Sequence, residues 1–280
     1  MNPLLPRISI IIPCYNHGLY IYEAIQSVEL CSDKSLYEII IMNDGSTDQF
    51  TIEELQRLSD KGYKVFYQAN QGLGSARNNA IEKAKGEYIL PLDSDNKILA
   101  EYIYESIKIL DEQKEIAMVY GDLEYFGEKG GMHRTGEFNL QRMMIGNYID
   151  ACAVFRKSAW EVLGGYDEKM PVMGMEDWDF WLNMALHGYA FHYVPKILFQ
   201  YRVLNQSMLS SIHSNNSVVL EMYMQKKYEK YLNRNHLNEV LLKAGKKNKK
   251  LAIKFFIALY FPGFLNFLVR KKIVKNHEIF

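Results

Sequence analysis

The chain has 280 residues, 48% of them hydrophobic, and its 33 Lys and Arg are balanced by 33 Asp and Glu. That length buries a full core, as one large domain or a domain with an appendage, and no low-complexity tract points to disorder. Three scattered cysteines, Cys14, Cys31 and Cys152, lack metal-ligand spacing and suit a reducing cytoplasm rather than a disulfide framework.

Ile8 to Ile12 is a β-branched apolar run that ends at Pro13-Cys14-Tyr15-Asn16, as expected of a strand and not of a signal peptide. Leu19 to Leu30 predicts a helix with Ile21, Ile25 and Val28 on one face. Tyr37 to Met42 predicts a second strand, running into the turn Asn43-Asp44-Gly45-Ser46-Thr47-Asp48. The helix after it passes through Ile52, Leu55 and Leu58 and stops at Gly62. Lys64 to Gln68 predicts a third strand, and Asn70-Gln71-Gly72-Leu73-Gly74 opens another helix. A fourth strand, beginning near Gly86, ends in Asp93-Ser94-Asp95-Asn96, and Ala100 to Gln113 is again helical.

Alternating strand and helix predicts a doubly wound, mostly parallel sheet, whose strand ends would converge on one ligand-binding edge. In extended geometry Asp93 and Asp95 point to one side, where like charges repel unless a cation lies between them. They are therefore candidate ligands for Mg²⁺ or Mn²⁺ bridging to a nucleotide diphosphate. The other reading is a polar strand end with an Asp N-cap. The Pro13–Gly18 turn lacks the three glycines of a dinucleotide fingerprint.

The second half changes character. Ala117 to Tyr120 and Leu123 to Phe126 are expected to form antiparallel strands of a small sub-sheet, with Gly130-Gly131 in the turn beyond. Asp150 to Arg156 predicts a strand, followed by a short helix ending at Gly164-Gly165. Met170 to Met175 reads as a loop, either covering a ligand or merely at the surface. A helix then begins at Glu176-Asp177-Trp178, with Trp178, Trp181 and Ala185 on a core face. Ala190 to Val194 and Ile197 to Tyr201 predict strands, and Ser214 to Tyr231 a helix.

Taken together, Ser9 to Asn16, Asn43 to Asp48, Asn70-Gln71-Gly72 with Ala76-Arg77-Asn78, Leu92 to Asp95, Gly164 to Glu168, Glu176-Asp177-Trp178 and Tyr201-Arg202 resemble the inverting glycosyltransferases of family 2. The resemblance covers Ile8 to Ser211 and implies a GT-A fold. It implies a nucleotide-sugar pocket, for a UDP-sugar, built from Pro13, Tyr15, Asn16, Asp44, Gly74, Arg77, Asp93 and Ser94. It implies Asp95 and Asp93 as ligands of Mn²⁺ or Mg²⁺, and Asp177 as general base, with Glu176 as the runner-up. Many relatives carry a His two residues after the Tyr-Arg pair, where this chain has Leu204. The Gln-x-x-Arg-Trp signature of processive synthases is not matched, so addition of one or a few sugars to a glycan or lipid-linked acceptor in bacterial surface-glycan assembly is expected. No nucleic-acid partner is expected.

Residues 1–212 are thus expected to form the catalytic domain, with a nucleotide-binding half at 1–113 and an acceptor half at 114–212. Residues 213–280 would be a helical tail. From Val240 to Phe280 the sequence carries ten Lys or Arg against the single acid Glu278. Its apolar stretch from Leu251 to Val269 is broken at Pro262-Gly263 and flanked by cations. That pattern suits peripheral contact with the inner face of the cytoplasmic membrane, or packing on protein. Two other functions stay open: a sugar nucleotidyltransferase, which would want a basic glycine-rich loop near the amino terminus, and a non-catalytic nucleotide-binding or membrane scaffold.

Overall fold

The computed structural model describes residues 5–204 together with 219, 220, 223, 224 and 226–231. Strand β1 (Ile8–Cys14) is buried along its whole length because both of its faces are covered. Ile8, Ile10 and Ile12 point to one core, and Ile11 to the other. This follows from the two-residue period of a strand.

Helix α1 (Gly18–Glu29) and α2 (Gln49–Asp60) pack on the first face, joined by Leu55 and Leu58. Helix α3 (Leu73–Lys83) packs on the second face through Ala76, Ala80 and Ile81. Strands β2 (Tyr37–Asp44) and β4 (Tyr88–Pro91) flank β1, and β3 (Lys64–Gln68) adds to β2, all by parallel pairing. The Asp48 carboxylate caps α2 by accepting from the Thr51 amide at 2.8 Å.

Beyond β4 come the short β5 (Lys97–Ile98), α4 (Ala100–Glu112), β6 (Ile116–Gly127), β7 (Gly131–His133) and α5 (Leu140–Ile145). Then follow β8 (Val154–Arg156), α6 (Lys157–Leu163), α7 (Glu176–Leu186) and β9 (Ala190–Val203). The sheet runs β3-β2-β1-β4-β8-β6-β9-β5, with β7 on β6. The antiparallel pairs β4/β8, β6/β8 and β5/β9 therefore continue the parallel sheet.

The second half of the sheet differs from expectation. The two strands expected at 117–120 and 123–126 are one strand, β6, and those expected at 190–194 and 197–201 are one strand, β9. β6 and β9 pair in parallel, and the register shifts where Gly121 faces Val194 and Asp122 faces Ile197. That bulge breaks the apolar pattern of both strands at the same level. Gly121 allows it, since a Cβ there would meet Leu198 Cδ1 at 2.6 Å. The antiparallel hairpin is instead β6 with β7, across the expected Gly130-Gly131 turn. β8 begins at Val154 and not at Asp150, because the Asp150 carboxylate accepts from the Cys152 amide at 2.8 Å and turns the chain.

Trp178 and Trp181 are core residues, as expected. Leu220, Met224 and Tyr228 are buried in the same core, so this part of the carboxyl-terminal stretch packs on the body of the protein. Among the described residues no helix is long and apolar enough to cross a membrane. The remainder of the expected helix at 214–231 and the basic, apolar stretch after Val240 lie outside the described residues.

Candidate active site

The carboxyl ends of β1, β2 and β4 bring their loops to one edge of the sheet. At the end of β1, Asn16 takes up a left-handed conformation (φ 55°), which asparagine tolerates better than most residues. Its Oδ1 accepts from the Thr47 and Asp48 amides at 2.8 and 2.9 Å, and its own amide donates to Ser46 Oγ at 3.0 Å. Asn16 therefore knits the loop after β1 to the loop after β2. Pro13 is buried within β1, while Tyr15 is 46% exposed beside this junction.

Asp44 ends β2 and is nearly fully buried. Its Oδ1 accepts from Gln68 Nε2 and the Gln71 amide, both at 2.8 Å, and its Oδ2 from the Gly72 amide at 2.9 Å. Asn79 Nδ2 in turn holds Gln68 Oε1 at 2.7 Å. The carboxylate thus shapes the glycine loop that opens α3. Gly72 needs its left-handed φ of 90°, and the Met173 methyl would lie 3.4 Å from a Cβ placed there. Gly74 sets the start of α3 beside Asp167 and Glu176, where a Cβ would make ordinary contact with the Asp167 carbonyl at 3.4 Å.

At the end of β4, Asp93 and Asp95 are 31% and 18% exposed, and Ser94 between them is buried against the Cys14 thiol. Burial and then the neighbouring Asp93 push the Asp95 carboxyl up to about 7. His17 Nδ1 lies 3.9 Å from Asp95 Oδ2. Arg202 fixes this turn. Its Nε donates to the Asp95 carbonyl at 2.9 Å, its amide donates to Asn96 Oδ1 at 2.9 Å, and its guanidinium reaches Glu23 at 2.8 Å. The guanidinium also stacks over Tyr20 and Phe126.

Among the described residues no group of three His, Cys, Asp or Glu side chains could hold a metal as an all-protein cage. Two neighbouring carboxylates with accessible oxygens nevertheless fit a hard divalent ion that keeps water and takes its other ligands from substrate phosphates. The donor set is therefore compatible with Mg²⁺ or Mn²⁺.

Arg77 is the hub of the site. It is 1% exposed, with Nη1 donating to Glu176 Oε1 at 2.5 Å and Nη2 to Asp93 Oδ1 at 2.8 Å. Its Cζ lies 5.6 Å from the Tyr166 ring centroid. The two acids and Tyr166 hold the guanidinium pKa above its ordinary value despite the burial that opposes it. Both terminal nitrogens of Arg77 bind carboxylates, so it ties the end of β4 to the start of α7.

Glu176 is fully engaged, Oε1 by Arg77 and Oε2 by the Gly174 amide at 2.9 Å. Asp177 beside it is also buried, with Oδ1 accepting from the Trp178 amide at 2.8 Å and Oδ2 from Asn147 Nδ2 at 2.7 Å. Burial first, then the charges of Glu176 and Asp150, raise the Asp177 carboxyl well above the usual range, although Arg77 opposes them. Asp150 is likewise raised to about 7 by burial, Asp93 and Asp95. It stands electrostatically between the β4 acids and Asp177.

Asp150, Asn147 and the role of Arg202 were not found from the sequence. Asp150 heads an apolar run, where a lone acid draws no attention. A Gly-Asn-Tyr turn ahead of a buried strand carries no chemical signature of its own. The Tyr201-Arg202 pair was legible only as a resemblance.

The profile of glycosyl transferase family 2 matches residues 9–164, more than half of the chain. The sequence is 29% identical over 229 residues to hyaluronan synthase of Pasteurella multocida, covering 80% of this chain and 22% of that protein. It is 27% identical over 255 residues to the putative glycosyltransferase EpsH of Bacillus subtilis, covering 86% of this chain and 71% of EpsH. The chain thus spans about a fifth of the length of the hyaluronan synthase. In structure it is similar to S. aureus TarS 1-349, solved in complex with UDP-GlcNAc, with a TM-score of 0.65 at 21% identity, covering 90% of this chain and 81% of that one. That likeness bears on the fold, which is the expected GT-A type. By its strand-end loops and by the match across 9–164, the chain belongs to glycosyl transferase family 2.

Proposed function

We propose that the protein is an inverting glycosyltransferase that moves a sugar from a nucleotide-sugar donor, a UDP-sugar, to a hydroxyl of a glycan or lipid-linked acceptor. The observation that carries this reading is the Arg77 bridge, which holds Asp93 and the first turn of α7 around one acidic centre. The UDP-GlcNAc bound by TarS favours a UDP donor. Asp177 is the general base. Its two oxygens are oriented by Asn147 and the Trp178 amide, and burial keeps its proton affinity well above that of a surface carboxylate. Glu176 is the weaker candidate, because it is ion-paired with the buried Arg77 guanidinium, whereas Asp177 accepts from the neutral Asn147 and Trp178 donors.

In the proposed reaction Asp177 takes the proton of the acceptor hydroxyl as that oxygen bonds to the anomeric carbon. The bond from that carbon to the diphosphate oxygen breaks on the opposite face, so one displacement inverts the configuration. Asp95 and Asp93 would hold Mn²⁺ or Mg²⁺, whose charge stabilises the departing nucleoside diphosphate. Tyr15, Asn16, Asp44, Gly74 and Ser94 form the nucleotide side of the pocket, and Arg77 aligns the carboxylates from beneath.

Residues 1–212 carry the donor-binding and catalytic residues in this reading, at the cytoplasmic face of the membrane. The basic, apolar stretch after Val240 places the enzyme beside its acceptor there. Flotation of full-length protein with anionic liposomes tests this, and a folded protein that stays at the bottom of the gradient removes the idea.

A thermal-shift screen of UDP, dTDP, GDP and CMP, with and without Mn²⁺, tests the donor class on wild type and Asp95→Asn. Ligand at a hundred times its dissociation constant adds about 2.7 kcal/mol of stability. A shift with UDP, dependent on metal and lost in the variant, is expected. No shift with any nucleotide in folded protein would overturn the reading and favour a scaffold.

A further inference from the structure

The catalytic turn is clamped by a segment that lies beyond residue 164, where the family match ends. Between residues 219 and 231 the described positions are helical up to Lys227 and then turn. Leu220, Met224 and Tyr228 recur every four residues, so they share one helical face, and all three are buried against the core that holds Trp178, Phe180 and Trp181. This packing sets the Lys227 side chain between two acids. Its Nζ lies 2.6 Å from Asp167 Oδ2 and 2.7 Å from Asp179 Oδ2. Tyr223 donates to Asp167 Oδ2 at 2.7 Å, and Tyr228 donates to Asp179 Oδ1 at 2.8 Å.

Both acids belong to elements that hold the active site. Asp179 is two residues from Asp177, in the first turn of α7, with a side chain 2% exposed. Asp167 lies in the loop after α6, between two residues that grip Asn78. The Asn78 amide donates to the Tyr166 carbonyl at 2.8 Å and to Glu168 Oε1 at 2.9 Å. Asn78 follows Arg77 on α3. One ammonium group therefore joins the turn bearing Asp177 to the loop that seats Arg77. Glu176, Asp177 and Asp179 crowd three acids into that turn, and it carries no basic residue of its own. A buried carboxylate deprived of its counter-ion would relax by moving toward water.

We propose that Lys227 is a positioning residue for the transfer reaction: it pins Asp167 to Asp179 and so fixes the first turn of α7 relative to Arg77. The carboxyl-terminal segment is thereby part of the catalytic unit and not a dispensable appendage. This rests on the reading of Asp177 as general base.

The test uses full-length protein carrying Lys227→Met, Lys227→Arg, or Lys226→Met as an exposed control. In Lys227→Met, amide hydrogen exchange across 164–169 and 176–180 is expected to quicken by about tenfold or more. With the UDP-sugar that the wild type accepts, kcat is expected to fall by about tenfold to a hundredfold. KM for the donor and UDP affinity stay within about twofold, since the nucleotide loops are untouched. Lys227→Arg restores kcat and slow exchange, and Lys226→Met matches wild type. Should Lys227→Met fail to fold, Asp167→Asn keeps the shape of the bridge while removing one of its charges, and the same pattern is expected. Wild-type exchange in these segments in a folded variant overturns the proposal, whether or not kcat falls. The exchange measurement needs no turnover. An error in the base assignment appears separately, as transfer retained by Asp177→Asn.

Discussion

Arg77 and Glu176 form an ion pair that is almost wholly removed from solvent, at 2.5 Å and with side-chain exposures of 1% and 4%. Such a pair gains little net stability over an apolar replacement, but losing one partner leaves the other charge stranded. Arg77→Met is expected to destabilise the protein by about 3 to 5 kcal/mol. Asp93 adds less to that penalty, because at 31% exposure it can recover water. Urea denaturation of wild type and variant measures the difference. A loss below about 1 kcal/mol, the size of an exposed pair, would contradict the buried hub.

The raised Asp177 carboxyl makes two pH predictions. A base must be ionised to accept a proton, so kcat/KM is expected to rise with pH through the elevated Asp177 value, well above the ordinary value of about 3.9. Stability runs the other way. A fold that favours the protonated carboxyl binds more protons than the unfolded chain, so its advantage is full below about pH 4 and fades as pH rises through the folded value. Asp150, pushed to about 7, acts in the same direction between about pH 4 and 7. Asp177→Asn should therefore lower transfer by about 10² to 10⁴-fold and flatten the decline of stability with pH. A kcat/KM that is level down to pH 5 would remove Asp177 as the base.

The elements of residues 1–113 were largely legible in the sequence, because β1, β2 and β4 are buried along nearly their whole length and stop at polar turns. β3 has the expected bounds, and the turn after β2 ends in Asp48, which caps α2. The later strands were misdivided because Gly121 and the residues after Val194 interrupt two apolar runs at one bulge, a feature of pairing that neither run shows alone. The acids of the site were legible by type, but their partners were not. Arg77 meets Glu176 across 99 positions of sequence and Asp177 meets Asn147 across 30, contacts that no local pattern encodes.

Asn147 offers a direct test of how Asp177 is oriented. Its Nδ2 donates to Asp177 Oδ2, while its Oδ1 accepts from the Ile149 amide at 3.2 Å, which settles which end of the side chain faces the carboxylate. Removing the donor withdraws a hydrogen bond that favours the ionised form. Asn147→Ala is expected to move the acidic limb of kcat/KM to higher pH and to lower kcat by about tenfold. UDP binding should be unchanged. An unshifted limb would mean that Asn147 supports the loop rather than the base.

Asp44 combines two tasks that substitution can separate. Its carboxylate accepts from Gln68 Nε2 and from the Gln71 and Gly72 amides, leaving lone-pair capacity on Oδ2 for a nucleobase N–H. Asp44→Ala strands buried donors, so a loss of about 1 to 3 kcal/mol is expected together with loss of UDP binding. Asp44→Asn keeps one acceptor oxygen but turns an amide N–H toward a backbone N–H, so it should also lose stability. Calorimetry with UDP beside chemical denaturation distinguishes the roles. If Asp44 only shapes the glycine loop, affinity falls in proportion to the loop's stability across the two variants. If it also reads the base, Asp44→Asn loses more affinity than its stability accounts for, because the amide presents a donor where the uracil ring needs an acceptor. The second outcome is expected, since the nearly full burial of Asp44 makes a mismatched hydrogen bond expensive.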